Sequence, residues 1–365
     1  MSKAPVPRPG ILDIAIYVSG ANQVGATTTL KQLSSNEGAL GPSPAAVAAL
    51  REMAGEMHRY PDGGSTALRE ALAKKHGLDA SRIVCGAGSD ELIALLLKSY
   101  AGPGDEVLYS QHGFLMYPIG AKAVGATPVA APETALRTDV DAMLAAVTPR
   151  TRVVFVANPN NPTGSYLPPS EIARLHAGLP PETLLIIDAA YAEYADGRND
   201  YTAGIELVEA HPNVVMLRTF SKIYALAALR LGWAYCSAPV ADVLNRVRGP
   251  FNVSLSAQIA GLAAVQDSDF LARSRAHNEA WLPWLTEKLT GLGLSVAPSA
   301  GNFVLVRFPE TPGKTAPEAW DYLAQRGVLI RKMASYGLPH SLRISVGPED
   351  ELQEAVRLLT EFLAA

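Results

Sequence analysis

Short apolar runs alternate along this chain with longer stretches whose apolar residues recur every three or four positions. Ile83-Val84-Cys85, Glu106-Val107-Leu108-Tyr109, Val153-Val154-Phe155-Val156, Leu184-Leu185-Ile186-Ile187 and Val214-Val215-Met216-Leu217 read as buried strands bounded by turn residues. Between them, Val47, Leu50, Ala54 and Met57 mark one helical face, and Leu68 and Leu72 mark another that stops at Gly77. Strand and helix in steady alternation predict an α/β domain with a mostly parallel sheet and right-handed crossovers. The pattern changes after Pro250. Helical spacing runs from Ser254 to Leu292, where Pro283 is expected to kink or break it. Strand candidates follow at Phe303 to Val306, Val328 to Arg331 and Leu342 to Val346. A closing helix carries Leu352, Val356, Leu359 and Leu363, and its first turn (Glu349, Asp350, Glu351) suits the positive end of the helix dipole. This predicts a second, smaller α+β domain, with the weakly periodic N-terminal residues as an arm.

Composition narrows the partners. Of 365 residues, 48% are hydrophobic and 18% charged, enough for a sizeable core and against disorder. The net charge of -4 comes without a basic stripe, so nucleic acid is not an expected partner. No apolar run approaches the roughly 18 to 20 residues of a membrane span, and Met1 to Gly10 lacks the apolar stretch of a signal peptide. Cys85 and Cys236 are far apart and flanked by apolar residues, which fits buried reduced thiols and a cytoplasmic location. The seven histidines show no metal-ligand spacing, so no metal is expected.

Four segments could carry chemistry. Cys85-Gly86-Ala87-Gly88-Ser89-Asp90-Glu91 joins a strand to a helix, placing backbone N–H groups where an anion could sit. Glu91 stands where a dinucleotide fingerprint needs its third glycine, and a plain helix cap with Ser89 as N-cap is the alternative. Asn158-Pro159-Asn160-Asn161-Pro162-Thr163-Gly164 forms a rigid turn after a buried strand, either structural or ligand-facing. Asp188 ends a strongly apolar strand, so its carboxylate needs a cationic or donor partner, either a salt bridge or a cofactor cation. Arg218-Thr219-Phe220-Ser221-Lys222, with Arg230 eight residues on, offers either a solvent-facing lysine or an amine in a partly dry, phosphate-binding site. All four fall at the same end of successive strands. A phosphate cradle, a turn asparagine, a carboxylate for a ring nitrogen and a reactive lysine together are the parts pyridoxal 5'-phosphate requires.

With those residues in view, the chain resembles the fold-type I pyridoxal-phosphate aminotransferases, and more narrowly the histidinol-phosphate aminotransferase family, from about Tyr17 to the C-terminus. The resemblance rests on Leu33-Ser34-Ser35-Asn36-Glu37, Leu40-Gly41-Pro42-Ser43-Pro44, Arg59-Tyr60-Pro61-Asp62-Gly63, Gly88-Ser89-Asp90-Glu91-Leu92-Ile93, the Pro159 to Gly164 turn, Asp188 with Tyr191, Thr219 to Lys222 with Arg230, and Leu342-Arg343-Ile344-Ser345-Val346-Gly347. It implies a large domain with a seven-stranded-type sheet sandwiched by helices (44–252), a smaller α+β domain (253–365) and an arm (1–43) that packs with the small domain and a partner subunit.

The resemblance also implies roles. Lys222 would link covalently to the cofactor and move the proton from Cα to C4'. Asp188 would hold the pyridine nitrogen protonated, and Asn161 and Tyr191 would bond the phenolic oxygen. Ala87, Gly88, Ser89, Thr219, Ser221 and Arg230 would hold the phosphate, with Phe114 stacked on the ring. Tyr60 would reach the neighbouring subunit's cofactor, implying a homodimer with shared sites. Asn36, Arg331, Arg343 and a Tyr17 supplied by the partner's arm would meet the substrate. The implied reaction passes an amino group between L-glutamate and imidazole acetol phosphate, in histidine biosynthesis. An aromatic amino-acid aminotransferase and a related decarboxylase are the neighbouring readings. Relatives usually carry N-E-N-P-L-G where this chain has Gly38-Ala39, Y-V-P-G-K where it has Tyr17-Val18-Ser19-Gly20-Ala21, and glycines at 225 and 228 where it has Ala225 and Ala228.

Overall fold

The computed structural model describes residues 6–17, 30–197 and 200–365; Val18 to Ala21 of the arm lie outside the described residues. Seven strands form the main sheet: β1 (Ile83–Gly86), β2 (Glu106–Ser110), β3 (Thr127–Ala131), β4 (Thr151–Ala157), β5 (Leu184–Asp188), β6 (Val214–Thr219) and β7 (Gly232–Tyr235). Their order is β1-β7-β6-β5-β4-β2-β3, with β7 antiparallel to both neighbours and the other pairings parallel. Sequence periodicity predicts five of these strands. It misses β3, whose residues are partly exposed, and β7, which is short and begins with glycine.

Side-chain alternation explains why the central strands read as continuous apolar runs. Val154, Val156, Leu185, Ile187, Val214 and Met216 face one helical layer, and Val153, Phe155, Leu184, Ile186, Val215 and Leu217 face the other. The first layer includes the helices Pro44–Met53, Thr66–His76, Pro169–Ala177 and Leu255–Gln266; the second includes Ser89–Tyr100, Met116–Val124 and Ala238–Val247. Three expectations need correction. The large-domain core does not end at residue 252, because Ala257, Ala260 and Ala264 of the helix Leu255–Gln266 are buried in it. The helical stretch breaks at Asp267, whose carboxylate accepts from the Phe270 N–H and so caps the next helix, Ser268–Gly291. Pro283 lies inside that helix on its exposed side, where water can satisfy the carbonyl that proline leaves unbonded. Finally, the face through Met57 is shorter than its spacing suggests: the α-helix ends at Met53 and Met57 is exposed.

A second core gathers Leu285, Leu289, Val304, Val306, Ile344, Leu352 and Leu359. Its antiparallel sheet runs Ser295–Val296, Phe303–Arg307, Ser341–Ser345, Arg331–Lys332. The predicted strand from Val328 to Arg331 is two short ones. Val328–Leu329 pairs in parallel with Lys31–Gln32, whereas Arg331–Lys332 joins the antiparallel sheet. Leu33, fully buried in this second core, ties the segment after the arm to the small domain.

Candidate active site

The carboxyl ends of β4, β5 and β6 align, with Ala157 opposite Asp188 and Asp188 opposite Leu217. Gly232 opens β7 at this same end, opposite Gly86 and Thr219. A Cβ on Gly232 would lie 2.4 Å from the Ser89 backbone nitrogen, so only glycine lets the helix start come this close. Around these ends lies a cavity of about 190 Å³ lined by Ser89, Asp90, Phe114, Tyr117, Asn161, Asp188, Tyr191, Thr219, Ser221, Lys222 and Arg230, among others. Open α/β sheets bind ligands at this position.

Asp188 is buried. Its Oδ2 accepts from the Tyr117 hydroxyl at 2.8 Å, and its Oδ1 has no partner. Burial pushes its pKa up to about 6, against the pull of the Tyr117 bond. An unsatisfied buried carboxylate oxygen aimed at a cavity suits a cationic N–H of a bound ring. Tyr117 carries no signal in the sequence beyond its helical spacing from Phe114. Fully buried, it stacks on Phe155 and meets Phe114 edge-on.

The end of the cavity expected to take an anion differs in detail from that expectation. The helix begins at Ser89 with Gly88, not Ser89, as its N-cap. The Ala87 N–H donates to Glu91 Oε2 at 2.6 Å and the Gly88 N–H to the Gly86 carbonyl at 2.8 Å, so neither is free to hold a phosphate. Gly88 instead makes room for a cation, because a Cβ there would meet Arg230 Nη2 at 2.5 Å. Arg230 also pairs with Asp90 at 3.0 Å. The Thr219 and Ser221 hydroxyls complete this end. Arg218 takes no part in the cavity. It is buried in an ion pair with Glu193 at 3.2 Å.

Lys222 Nζ lies 5.7 Å from the Tyr191 ring centroid and donates to the Ser35 carbonyl at 3.1 Å. Burial and the Arg343 charge lower its pKa to about 8. Asn161 accepts from Arg343 Nη1 through its Oδ1, so any donation from it to a ligand comes from Nδ2.

A second cavity of about 170 Å³ shares Phe114, Asn161, Tyr191 and Lys222 with the first and adds Tyr17, Asn36, Arg331, Tyr336 and Arg343. Arg331 and Arg343 are directly opposed across neighbouring strands, so they project from one sheet face. The described lining holds three cations and no carboxylate, a field that selects anions. Tyr336, which sequence reasoning passes over, is buried beside both arginines.

Of the two residues expected to act across a subunit boundary, one sits elsewhere than expected. Tyr17, assigned to the partner's site, lies with its ring 5.8 Å from the chain's own Arg331. Tyr60 is 82% exposed, stacks on Phe251 and does not line its own chain's cavity.

Residues 28–359 match the family described as aminotransferase class I and II. Over 362 residues, 99% of each chain, the sequence is 60% identical to a histidinol-phosphate aminotransferase of Paramagnetospirillum magneticum. A histidinol-phosphate aminotransferase of Rhodospirillum rubrum is 56% identical over 366 residues, covering 100% of this chain and 99% of that one. Among solved structures, the histidinol-phosphate aminotransferase of Sinorhizobium meliloti, in complex with pyridoxal-5'-phosphate, superposes with a TM-score of 0.86 at 27% identity, covering 100% of this chain and 99% of that one. An aspartate aminotransferase of Thermus thermophilus shares the fold, with a TM-score of 0.80 at 22% identity over 92% of each chain. The chain belongs to the class I and II aminotransferases and, within them, to the family of histidinol-phosphate aminotransferases.

Proposed function

We propose that the protein is a pyridoxal-phosphate-dependent transaminase that interconverts L-histidinol phosphate plus 2-oxoglutarate and imidazole acetol phosphate plus L-glutamate, a step of histidine biosynthesis. One observation carries this reading: two cavities meet at Lys222, Asn161 and Tyr191, the first offering a buried carboxylate and an anion-binding helix start, the second two opposed arginines. When bound, pyridoxal phosphate supplies an electron sink for charge developing at the substrate Cα.

The orphan Oδ1 of Asp188 and the space that Gly88 leaves for Arg230 fit that group. Asp188 holds the ring nitrogen protonated. Ser89, Thr219, Ser221 and Arg230 bind the phosphate, and Phe114 covers the ring face. Lys222 holds the cofactor through Nζ and moves the proton at Cα. A pKa of about 8 rather than 10.5 makes the neutral amine about two hundredfold more abundant at pH 7.5. Asn161 and Tyr191 donate to the phenolic oxygen. Arg331, Arg343 and Tyr17 bind the anionic end of the substrate, a phosphate ester in one half-reaction and a carboxylate in the other.

The exposed Tyr60–Phe251 stack supports a homodimer in which Tyr60 reaches the neighbouring site. A cytoplasmic location belongs to the same proposal, supported by two free, buried thiols. Among the described residues, no helix is long and apolar enough to cross a membrane.

Purified enzyme is expected to show a visible band that shifts on adding L-glutamate, and Lys222→Ala is expected to lose it. The kcat/KM for histidinol phosphate is expected to exceed that for L-phenylalanine. The reverse order would move the assignment to an aromatic amino-acid aminotransferase.

A further inference from the structure

Three consecutive residues of the segment after the arm each touch one group of the site. The Ser34 carbonyl accepts from Arg343 Nη2 at 2.7 Å, the Ser35 carbonyl from Lys222 Nζ at 3.1 Å, and Asn36 Nδ2 donates to the Tyr191 hydroxyl at 2.9 Å. Asn36 is fully buried and held at φ +54°, a left-handed conformation that only a few residue types tolerate.

Its amide is hydrogen-bonded on both sides. Ser345 Oγ accepts from the Asn36 backbone N–H at 2.8 Å and donates its single hydrogen to Asn36 Oδ1 at 2.9 Å. Oδ1 faces Ser345, and Nδ2 faces Tyr191. The Tyr191 oxygen is thus an acceptor from Asn36, and its own hydrogen is left for a second partner. Tyr191 lines both cavities. A phenol that accepts one hydrogen bond donates the other more strongly. Ser345 belongs to the small-domain strand Ser341–Ser345, while Tyr191 follows β5 of the large domain.

We propose that Asn36, locked by Ser345, is a positioning residue: it orients and polarises the Tyr191 hydroxyl from across the domain boundary, and so sets the acidity of the cofactor's phenolic oxygen. This rests on the reading that Tyr191 donates to that oxygen. It gives Asn36 a role other than substrate binding, since its Oδ1 and one hydrogen of its Nδ2 are already committed within the protein.

The test is a pH titration of the visible absorbance of the cofactor-loaded enzyme. A donor to a phenolate oxygen draws charge from it, so the proton shared between that oxygen and the Lys222 nitrogen leaves at lower pH. Weakening the donor raises the midpoint. Tyr191→Phe is expected to raise it. Asn36→Gly, which tolerates the positive φ and deletes the amide, is expected to raise it less, on the order of half a pH unit. The double variant is expected to match Tyr191→Phe alone, because Asn36 acts through the hydroxyl. Ser345→Ala, which leaves Asn36 in place but unlocked, is expected to shift in the same direction.

A wild-type midpoint in both Asn36→Gly and Ser345→Ala, or a double variant shifted well beyond Tyr191→Phe, would overturn the inference. A Tyr191→Phe midpoint unchanged from wild type would overturn the underlying reading of Tyr191 itself, and the inference with it.

Discussion

Lys222 sits where an apolar surround and a neighbouring guanidinium both disfavour its charged form, which brings its pKa to about 8. The sign of the consequence follows from proton counting. Between about pH 8 and the ordinary value of 10.5, the unfolded chain binds the proton that the folded chain has released, so folding stability contributed at this site rises with pH through that window. The same shift predicts that cofactor-free protein captures pyridoxal phosphate at a rate that climbs with pH around a midpoint near 8. A midpoint near 10.5 would show that the amine is not desolvated. A second residue-scale feature concerns two departures from the family pattern that meet in space. Ala225, where relatives carry glycine, has φ +53°, and a Cβ on Gly38 would lie 2.5 Å from the Ala225 Cβ. A methyl group at 225 is accommodated here only because position 38 has none. Gly38→Ala alone is expected to lower the melting temperature. Ala225→Gly alone is expected to stabilise by about 1 kcal/mol through relief of the left-handed strain, and the double variant to recover most of the loss from Gly38→Ala. Additive effects in thermal denaturation would refute this steric coupling.

Helix punctuation shows what local sequence can and cannot reveal. Pro283 is the conspicuous breaker between Ser254 and Leu292, yet the chain turns at Asp267, where one carboxylate caps the Ser268–Gly291 helix and accepts from the Ser43 hydroxyl. Asp267→Ala is therefore expected to cost about 1–2 kcal/mol in denaturant unfolding, whereas a loss below a few tenths would mean that water replaces the cap. The fully buried central strands were legible because both faces need apolar residues. The edge strand β3 and the glycine-led β7 were not, because exposure and shortness remove the pattern. In the loop after β1, the sequence does not reveal which backbone N–H groups already have partners within the chain. Whether the Ala87 and Gly88 N–H groups are spent on Glu91 and Gly86 depends on how the loop closes.

Across the whole molecule, the long helix Ser268–Gly291 buries Phe270 and Leu271 at one end, with Leu271 in the large-domain core, and Leu285 and Leu289 in the small-domain core at the other. The two domains thus share one helix, and the segment from Lys31 to Asn36 runs from its pairing with Val328–Leu329 of the small domain into the site. Tyr60 stands apart from its own cavity, so its proposed role requires a second subunit. Co-expressing Lys222→Ala with Tyr60→Ala is expected to restore part of the activity that each variant lacks alone. In such a heterodimer one site receives Lys222 from one chain and Tyr60 from the other. Failure to complement, with heterodimers shown to form, would place Tyr60 outside the shared site.

The chain order of strands, turns and cations was enough to group the loop after β1, Asn161, Asp188, Lys222 and Arg230, because parallel strands bring their carboxyl ends together whatever the details of packing, whereas Arg343, on an antiparallel strand of the small domain, came only from the family resemblance. What each of those groups is bonded to was decided only in three dimensions. Tyr117 on Asp188, Asn161 on Arg343, and Asn36 between Ser345 and Tyr191 join residues separated by 71 to 309 positions. Hydrogen-bond partners at such separations follow from how two cores pack against each other, and no local pattern records them.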